Sequence, residues 1–253
     1  MFNEAASIFG EETAISFQNV TKVYKLYKND KQRFLGLIFE KSVNFKKKVV
    51  LNNITFAIKK GASVGILGRN GAGKSTILKL ITGVTHQTSG EINIAGTVSA
   101  LLELTAGFDP EFTGRENIFL KCYLMGMVDE QIKEKLEDII DFSELGEYID
   151  QPVRTYSSGM KARLGFAVSV NVNPDILVID EALSVGDAQF ARKCKEKIEE
   201  IRKNGTTLLF VSHSITSIKE FCTSCMLLEY GEITAYGSVD EVIRKYNNSI
   251  YRS

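Results

Sequence analysis

The chain has 253 residues, 44% hydrophobic and 25% charged, an ordinary composition for a soluble globular protein and enough chain to bury a substantial core in one large domain. A formal net charge of zero removes any global electrostatic argument for binding nucleic acid. No run of about eighteen apolar residues offers a membrane span, and no basic stretch followed by an apolar core offers a secretory signal, so the chain is expected in the cytosol unless a partner holds it at a membrane.

Residues 14–20 alternate as a first strand, and Tyr24 follows within a few positions. An aromatic there suits stacking on a nucleotide base and equally suits a strand end; both readings stand. The composition then shifts over residues 25–48. Lys25, Lys28, Lys31, Arg33, Lys41, Lys46, Lys47 and Lys48 are opposed only by Asp30 and Glu40, around the apolar patch Phe34-Leu35-Gly36-Leu37-Ile38-Phe39. Such a segment fits a surface facing anionic lipid or an acidic polymer, or a solvated hairpin whose centre packs back on the domain.

Residues 49–58 carry the next strand pattern, and Ser63-Val64-Gly65-Ile66-Leu67 reads as a buried strand. It leads into Gly68-Arg69-Asn70-Gly71-Ala72-Gly73-Lys74-Ser75, a complete phosphate-binding loop, with a helix predicted over residues 75–81. Glycines let successive backbone N–H groups turn toward one anion, and the following helix adds its positive end. Lys74 then suits the β- and γ-phosphates, and the Ser75 hydroxyl suits Mg²⁺.

Short strands are predicted at residues 91–94 and 98–102, followed by an acceptor-rich loop from Glu103 to Thr113. A helical block then begins. Ile132, Leu136, Ile139 and Ile140 fall on one face of an amphipathic helix, so a helical subdomain over about 115–172 interrupts an otherwise α/β sequence. Within it, Tyr156-Ser157-Ser158-Gly159-Met160 opens a helix for which Ser157 is a candidate cap and a candidate anion donor alongside the Gly159 N–H.

The apolar run Ile176-Leu177-Val178-Ile179 predicts a central parallel strand closed by Asp180 and Glu181. Asp180 suits Mg²⁺ and Glu181 suits the polarisation of an attacking water; two buried acids at a strand end are seldom there for packing. A turn reaching Asp187, a helix lined by Phe190, Cys194, Ile198 and Ile201, and a strand over 206–211 follow. His213 comes directly after that strand, on the same sheet edge as Asp180. A hairpin around Gly231 and a last helix over about 239–247 close the chain. Cys122, Cys194, Cys222 and Cys225 show no disulfide framework and read as buried reduced thiols. With only His86 and His213 available, a histidine-rich metal centre is excluded.

In this order the phosphate loop, the Ser-Ser-Gly helix start, the Asp180-Glu181 strand end and the trailing histidine resemble the nucleotide-binding subunit of an ABC transporter across about two hundred residues. The resemblance implies a single ABC ATPase domain over 1–253: a P-loop NTPase core with an antiparallel β part and an inserted helical subdomain. It implies ATP and Mg²⁺ as cofactors, held by Gly68, Asn70, Gly71, Ala72, Gly73, Lys74, Ser75 and Thr76, with Tyr24 on adenine and Ser75, Asp180 and Glu103 around the metal. Glu181 would be the general base, His213 the switch histidine, Lys74 the phosphate lysine and Asp187 the dimer-contact acid. Ser157, Ser158 and Gly159 would complete the ATP site of the opposite protomer, so a head-to-tail homodimer is expected.

Two departures narrow the family. The usual Leu-Ser-Gly-Gly-Gln signature is here Tyr156-Ser157-Ser158-Gly159-Met160, and Glu103 stands near where a glutamine is usual. Together with Gly107-Phe108 and Asp180-Glu181-Ala182-Leu183-Ser184-Val185-Gly186-Asp187, this form resembles the ATPase subunits of bacterial surface-polysaccharide exporters, teichoic-acid and O-antigen translocators included. Their insertion with a Leu-Gly pair matches Leu35-Gly36. The resemblance implies a motor at the cytoplasmic face of the membrane, paired with a separate multi-span permease, driving a lipid-linked polysaccharide, teichoic acid foremost, with no nucleic acid. With the given sequence ending at Ser253, no appended sugar-binding sandwich is expected. The alternatives are a soluble ABC-type regulatory ATPase, an ABC motor for another cargo, and a P-loop kinase, which would have no use for Ser157-Ser158-Gly159, Glu181 or His213.

Overall fold

A computed structural model describes residues 12–32, 34, 45–101, 104–180, 186–212 and 214–250. Its strands, in chain order, are β1 (Thr13–Leu26), β2 (Lys46–Lys59), β3 (Ser63–Leu67), β4 (Ser89–Ile94), β5 (Val98–Ala100), β6 (Ile176–Asp180), β7 (Thr207–Ser212), β8 (Ser224–Glu229) and β9 (Glu232–Ser238). The helices are α1 (Lys74–Ile81), α2 (Gly114–Leu124), α3 (Asp129–Ser143), α4 (Ser158–Asn171), α5 (Ala188–Lys203), α6 (Ile215–Phe221) and α7 (Val239–Ile250).

Strands β2-β1-β4 form an antiparallel sheet, and β5-β6-β7-β3-β8-β9 a second sheet, parallel except for the closing β8–β9 hairpin. The parallel strands are apolar on both faces because both faces are covered. Leu177 and Ile179 enter one buried cluster with α5, while Ile176 and Val178 enter the other with α1 and the antiparallel sheet.

β1 and β2 run well past the strand patterns over 14–20 and 49–58. Tyr24 pairs with Lys48, Lys25 with Lys47 and Leu26 with Lys46. Lysine content argued for a loop there, but these side chains stand on solvent-facing backbone, where charge interferes little with ladder hydrogen bonds. The end of the ladder gains aromatic support, with Lys25 Nζ 5.3 Å from the Phe45 ring and Tyr27 packed 5.6 Å from Phe45. Of the apolar patch in this segment only Phe34 is described, 65% exposed; Leu35, Gly36 and the rest of the patch lie outside the described residues.

The expected helical block forms α2, α3 and α4 with two short 3₁₀ turns between α3 and α4. Thr113 starts α2 with a capping box: its N–H donates to Glu116 Oε2 (2.8 Å), and the Glu116 N–H donates to Thr113 Oγ1 (3.2 Å). The face expected from spacing is buried, with Ile132 and Ile139 fully so and Leu136 and Ile140 partly, in a cluster of its own with Ile118, Ile149 and Leu164. Each fully buried isoleucine stabilises the block by about 1.5–3 kcal/mol. No helix among the described residues is long and apolar enough to cross a membrane. All four cysteines are buried and free, as their context suggested.

Candidate functional site

The sheet order sets the site. β7 lies between β3 and β6, with Leu67 paired to Ser212 and Asp180 paired to Val211, so these strands end together at one carboxyl edge. Crevices outside the carboxyl ends of parallel strands are where such folds bind ligands.

β3 leaves its buried run at Leu67 and turns through the glycine loop into α1. The loop is tightly cradled: a Cβ on Gly68 would lie 2.3 Å from the Leu228 carbonyl oxygen, and Gly73, at φ 113°, has Leu51 Cδ2 2.7 Å from where a Cβ would be. Only glycine fits at either position. Lys74 begins α1, whose own first turn carries no acidic side chain to offset the positive helix end. Lys74 Nζ donates to the carbonyls of Gly68 (2.6 Å) and Arg69 (3.1 Å), back across its own loop. Burial lowers the pKa of Lys74, opposed by the charge of Asp180; burial likewise raises that of Asp180, opposed by Lys74.

A cavity of about 510 Å³ opens over this loop. It gathers Asn70, Gly71, Gly73, Lys74, Ser75, Thr76 and Asp180, all expected from sequence, and adds Lys48, Val49, Val50 and Tyr230, which were not. Gly68 and Ala72 shape the loop from behind rather than line it; the Ala72 carbonyl accepts from the Gly231 N–H (3.1 Å). Tyr24 is half-buried beside Lys48, its cross-strand partner, with Lys22 Nζ 5.0 Å from its ring. A larger hollow of about 580 Å³ surrounds Asp175 and Gly205 at the amino edge of the sheet, where no candidate residue lies.

Ser157, Ser158 and Gly159 do not line the cavity. Ser157 caps α4, its hydroxyl oxygen accepting from the Met160 N–H (3.2 Å), and a Cβ on Gly159 would meet nothing closer than Ser157 Oγ at 3.8 Å. This helix start faces open space. Tyr156 fixes it from below: the ring is buried in the α2–α4 cluster, the hydroxyl donates to the Tyr148 carbonyl, and burial pushes its pKa up to about 12. Asp187 has partners within the chain. It caps α5 by accepting from the Phe190 N–H (2.9 Å) and pairs with Arg163 (2.7 Å), which also pairs with Glu144 (3.0 Å). Glu103, Glu181 and His213 lie outside the described residues.

Lys121 is a residue the sequence reading missed. It sits three positions after the buried Ile118 and so on the apolar face of α2, where it is itself buried. Its ammonium donates to the Leu104 carbonyl (2.6 Å), reaches the Gly165 carbonyl (3.5 Å) and lies 5.4 Å from the Phe108 ring. Gly165 has no Cβ for a reason: one would lie 2.1 Å from that same Leu104 oxygen. Leu104 is thus clamped between α2 and α4. Burial brings the Lys121 pKa down to about 8 from its ordinary 10.5. Because the unfolded chain then binds more protons between those values, this residue's contribution to stability is unfavourable below pH 8 and improves as pH rises toward 10.5, by up to about 3 kcal/mol. The difference in unfolding free energy between wild type and Lys121→Met should therefore move in the wild type's favour between pH 8 and 10; a pH-independent difference in denaturant titrations would contradict the assignment.

Lys121 also borders a second, more apolar cleft of about 370 Å³ with Ser75, Lys79, Ala100, Leu124, Met125 and Asp180. Val84 and Leu124 stand at its rim, 72% and 68% exposed.

Known proteins resemble this chain in sequence and in fold. The family model described as ABC transporter matches residues 51–184. Teichoic acids export ATP-binding protein TagH of Bacillus cereus is 47% identical over 232 residues, 92% of this chain and 42% of that protein. O-antigen export system ATP-binding protein RfbB of Klebsiella pneumoniae is 43% identical over 244 residues, 94% of this chain and 99% of that protein. The chain therefore spans less than half of the Bacillus relative and nearly all of the Klebsiella one. Among solved structures, an ATP-binding subunit of an ABC transporter superposes with a TM-score of 0.75 at 22% identity, covering 93% of this chain and 94% of that one. A dimeric ATP-binding cassette in a post-hydrolysis state with ADP and Pi superposes with a TM-score of 0.70 at 21% identity, covering 89% and 98%. These two share the fold.

Proposed function

The chain belongs to the ABC transporter family, and on that premise we propose that it is the ATP-hydrolysing subunit of an exporter that moves a lipid-linked cell-surface polysaccharide outward across the cytoplasmic membrane, with teichoic acid the first polymer to test. The observation that carries the reading is the single cavity in which the glycine loop, Lys74, Ser75 and the Asp180 carboxylate meet at one sheet edge. Loop N–H groups and Lys74 suit the phosphates of ATP. The Ser75 hydroxyl and the Asp180 carboxylate are hard oxygen donors lining the same cavity, a set that fits Mg²⁺, which binds through one or two such groups and the nucleotide. They would hold the ion, which when bound neutralises charge on the phosphates. In this reading Tyr24 stacks on adenine, Glu103 contributes to the metal's water shell, Glu181 polarises the attacking water and His213 senses the γ-phosphate.

Two features favour assembly. Ser157, Ser158 and Gly159 form an open helix start away from their own cavity, which suits completion of a partner protomer's site in a homodimer. Val84 and Leu124 expose apolar surface beside a cleft that reaches Ser75 and Asp180, which suits a separate multi-span permease docked where nucleotide state can be felt. The cargo follows from relatives named for export of teichoic acids and O-antigen. Peripheral attachment to the cytoplasmic face follows from the permease.

Affinity purification of the tagged chain from detergent-solubilised membranes of its source cell, with partners identified by mass spectrometry, tests the proposal. A multi-span permease in matching amount is the expected result. Recovery free of any membrane protein would overturn the exporter reading in favour of a soluble regulatory ATPase.

A further inference from the structure

Tyr230 is 90% exposed and holds φ at +51°, a left-handed conformation that a bulky side chain rarely adopts and that asparagine or glycine would take with less strain. Neither packing nor backbone preference accounts for an aromatic ring there. Yet the turn that carries it is fixed to the phosphate loop. The following Gly231 donates its N–H to the Ala72 carbonyl (3.1 Å), and its own carbonyl accepts from the Asn52 N–H (2.8 Å). A Cβ on Gly231 would lie 2.4 Å from the Val50 oxygen, and Asn52 Nδ2 donates to Glu232 Oε1 (2.7 Å), so the β8–β9 turn is locked against β2. Tyr230 thus lines, from a fixed turn, the same cavity as the phosphate loop, Lys48 and Val49.

We infer that Tyr230 is a binding residue for the nucleoside part of the bound nucleoside triphosphate, an aromatic wall against base or ribose in addition to any contact from Tyr24. The inference rests on the nucleotide reading of this cavity and deepens it: the phosphates are held by the loop, and the choice of a nucleotide over a bare polyphosphate is made partly by a turn about 160 residues further along the chain. Rigid placement is what makes such a contact effective, since little ordering is needed when the ligand arrives. It also accounts for the strained backbone, which is retained where a local function requires it.

The test compares ATP with inorganic tripolyphosphate, each titrated into the purified full chain. Tyr230→Ala should weaken ATP binding roughly five- to a hundredfold, the range of one base–aromatic contact, and leave tripolyphosphate affinity within twofold. Tyr230→Phe should keep ATP affinity, because the ring carries the contact. Tyr230→Asn, which suits the left-handed turn, should match or exceed the wild-type melting temperature while losing ATP affinity as alanine does. ATP affinity unchanged in Tyr230→Ala would overturn the inference, and so would equal losses for ATP and tripolyphosphate, which would mean that the residue acts only through the loop. A wild-type chain that binds tripolyphosphate but shows no preference for ATP would also overturn it, while one that binds neither would overturn the nucleotide reading itself.

Discussion

Lys74→Ala is expected to reduce ATP affinity roughly 10- to 150-fold, the equivalent of a hydrogen bond to a charged group, and to abolish measurable turnover. Within the chain, Lys74 makes its hydrogen bonds to the carbonyls of Gly68 and Arg69, and burial disfavours its charge, so its removal should change thermal stability little. The loss should fall on binding because the ammonium has a better partner in a phosphate than in two loop carbonyls. Lys74→Arg should not rescue, since a planar guanidinium fork does not reproduce the compact point charge of an ammonium. Isothermal titration with ATP and a steady-state phosphate-release assay check both parts. Affinity within twofold of wild type would remove Lys74 from the phosphate site and the cavity from its proposed role.

The parts of this site that could be read from sequence are those whose chemistry is contiguous. Gly68 to Thr76 follow one another, and their glycine, lysine and hydroxyl order has a local cause in backbone turning and helix polarity. Asp180 was legible because it closes a run of four apolar residues, where an acid is costly. Lys48, Val49 and Tyr230 were not legible. They reach the cavity only through the β1–β2 ladder and the hydrogen bonds of Gly231 to Ala72 and Asn52, contacts between segments far apart in the chain. Lys121 escaped for another reason: amphipathic reasoning assigns lysine to the wet face, whereas here the ammonium is satisfied by the Leu104 carbonyl inside the helical block. The extra length of β1 and β2 was hidden because lysine composition was weighed against strand, while the ladder there needs only backbone partners. For Tyr24, left undecided between base stacking and strand end, the structure supplies a position beside Lys48 and a cation over the ring, which keeps it adjacent to the cavity without lining it.

Glu181→Gln is expected to keep ATP affinity and lose turnover by about 10²- to 10⁴-fold, the usual contribution of a positioned general base. The substitution conserves side-chain size and removes only the carboxylate proposed as the proton acceptor. ATP would then remain bound unhydrolysed, and the protein should elute as a nucleotide-dependent dimer in size-exclusion chromatography. That second outcome depends on the open start of α4, where Ser157, Ser158 and the unobstructed Gly159 stand outside their own cavity. Adding Gly159→Asp to Glu181→Gln separates the two requirements. An aspartate there would set a carboxylate against the phosphates of the partner's nucleotide, while each protomer keeps its own loop, Lys74 and Ser75. The double variant should therefore bind ATP as the single one does and stay monomeric. Turnover near wild type in Glu181→Gln would remove Glu181 from its proposed role as base. An ATP-dependent dimer that survives Gly159→Asp would show that the α4 start does not meet the nucleotide across the interface, because two like charges forced together in a water-poor contact cannot be accommodated without separating it.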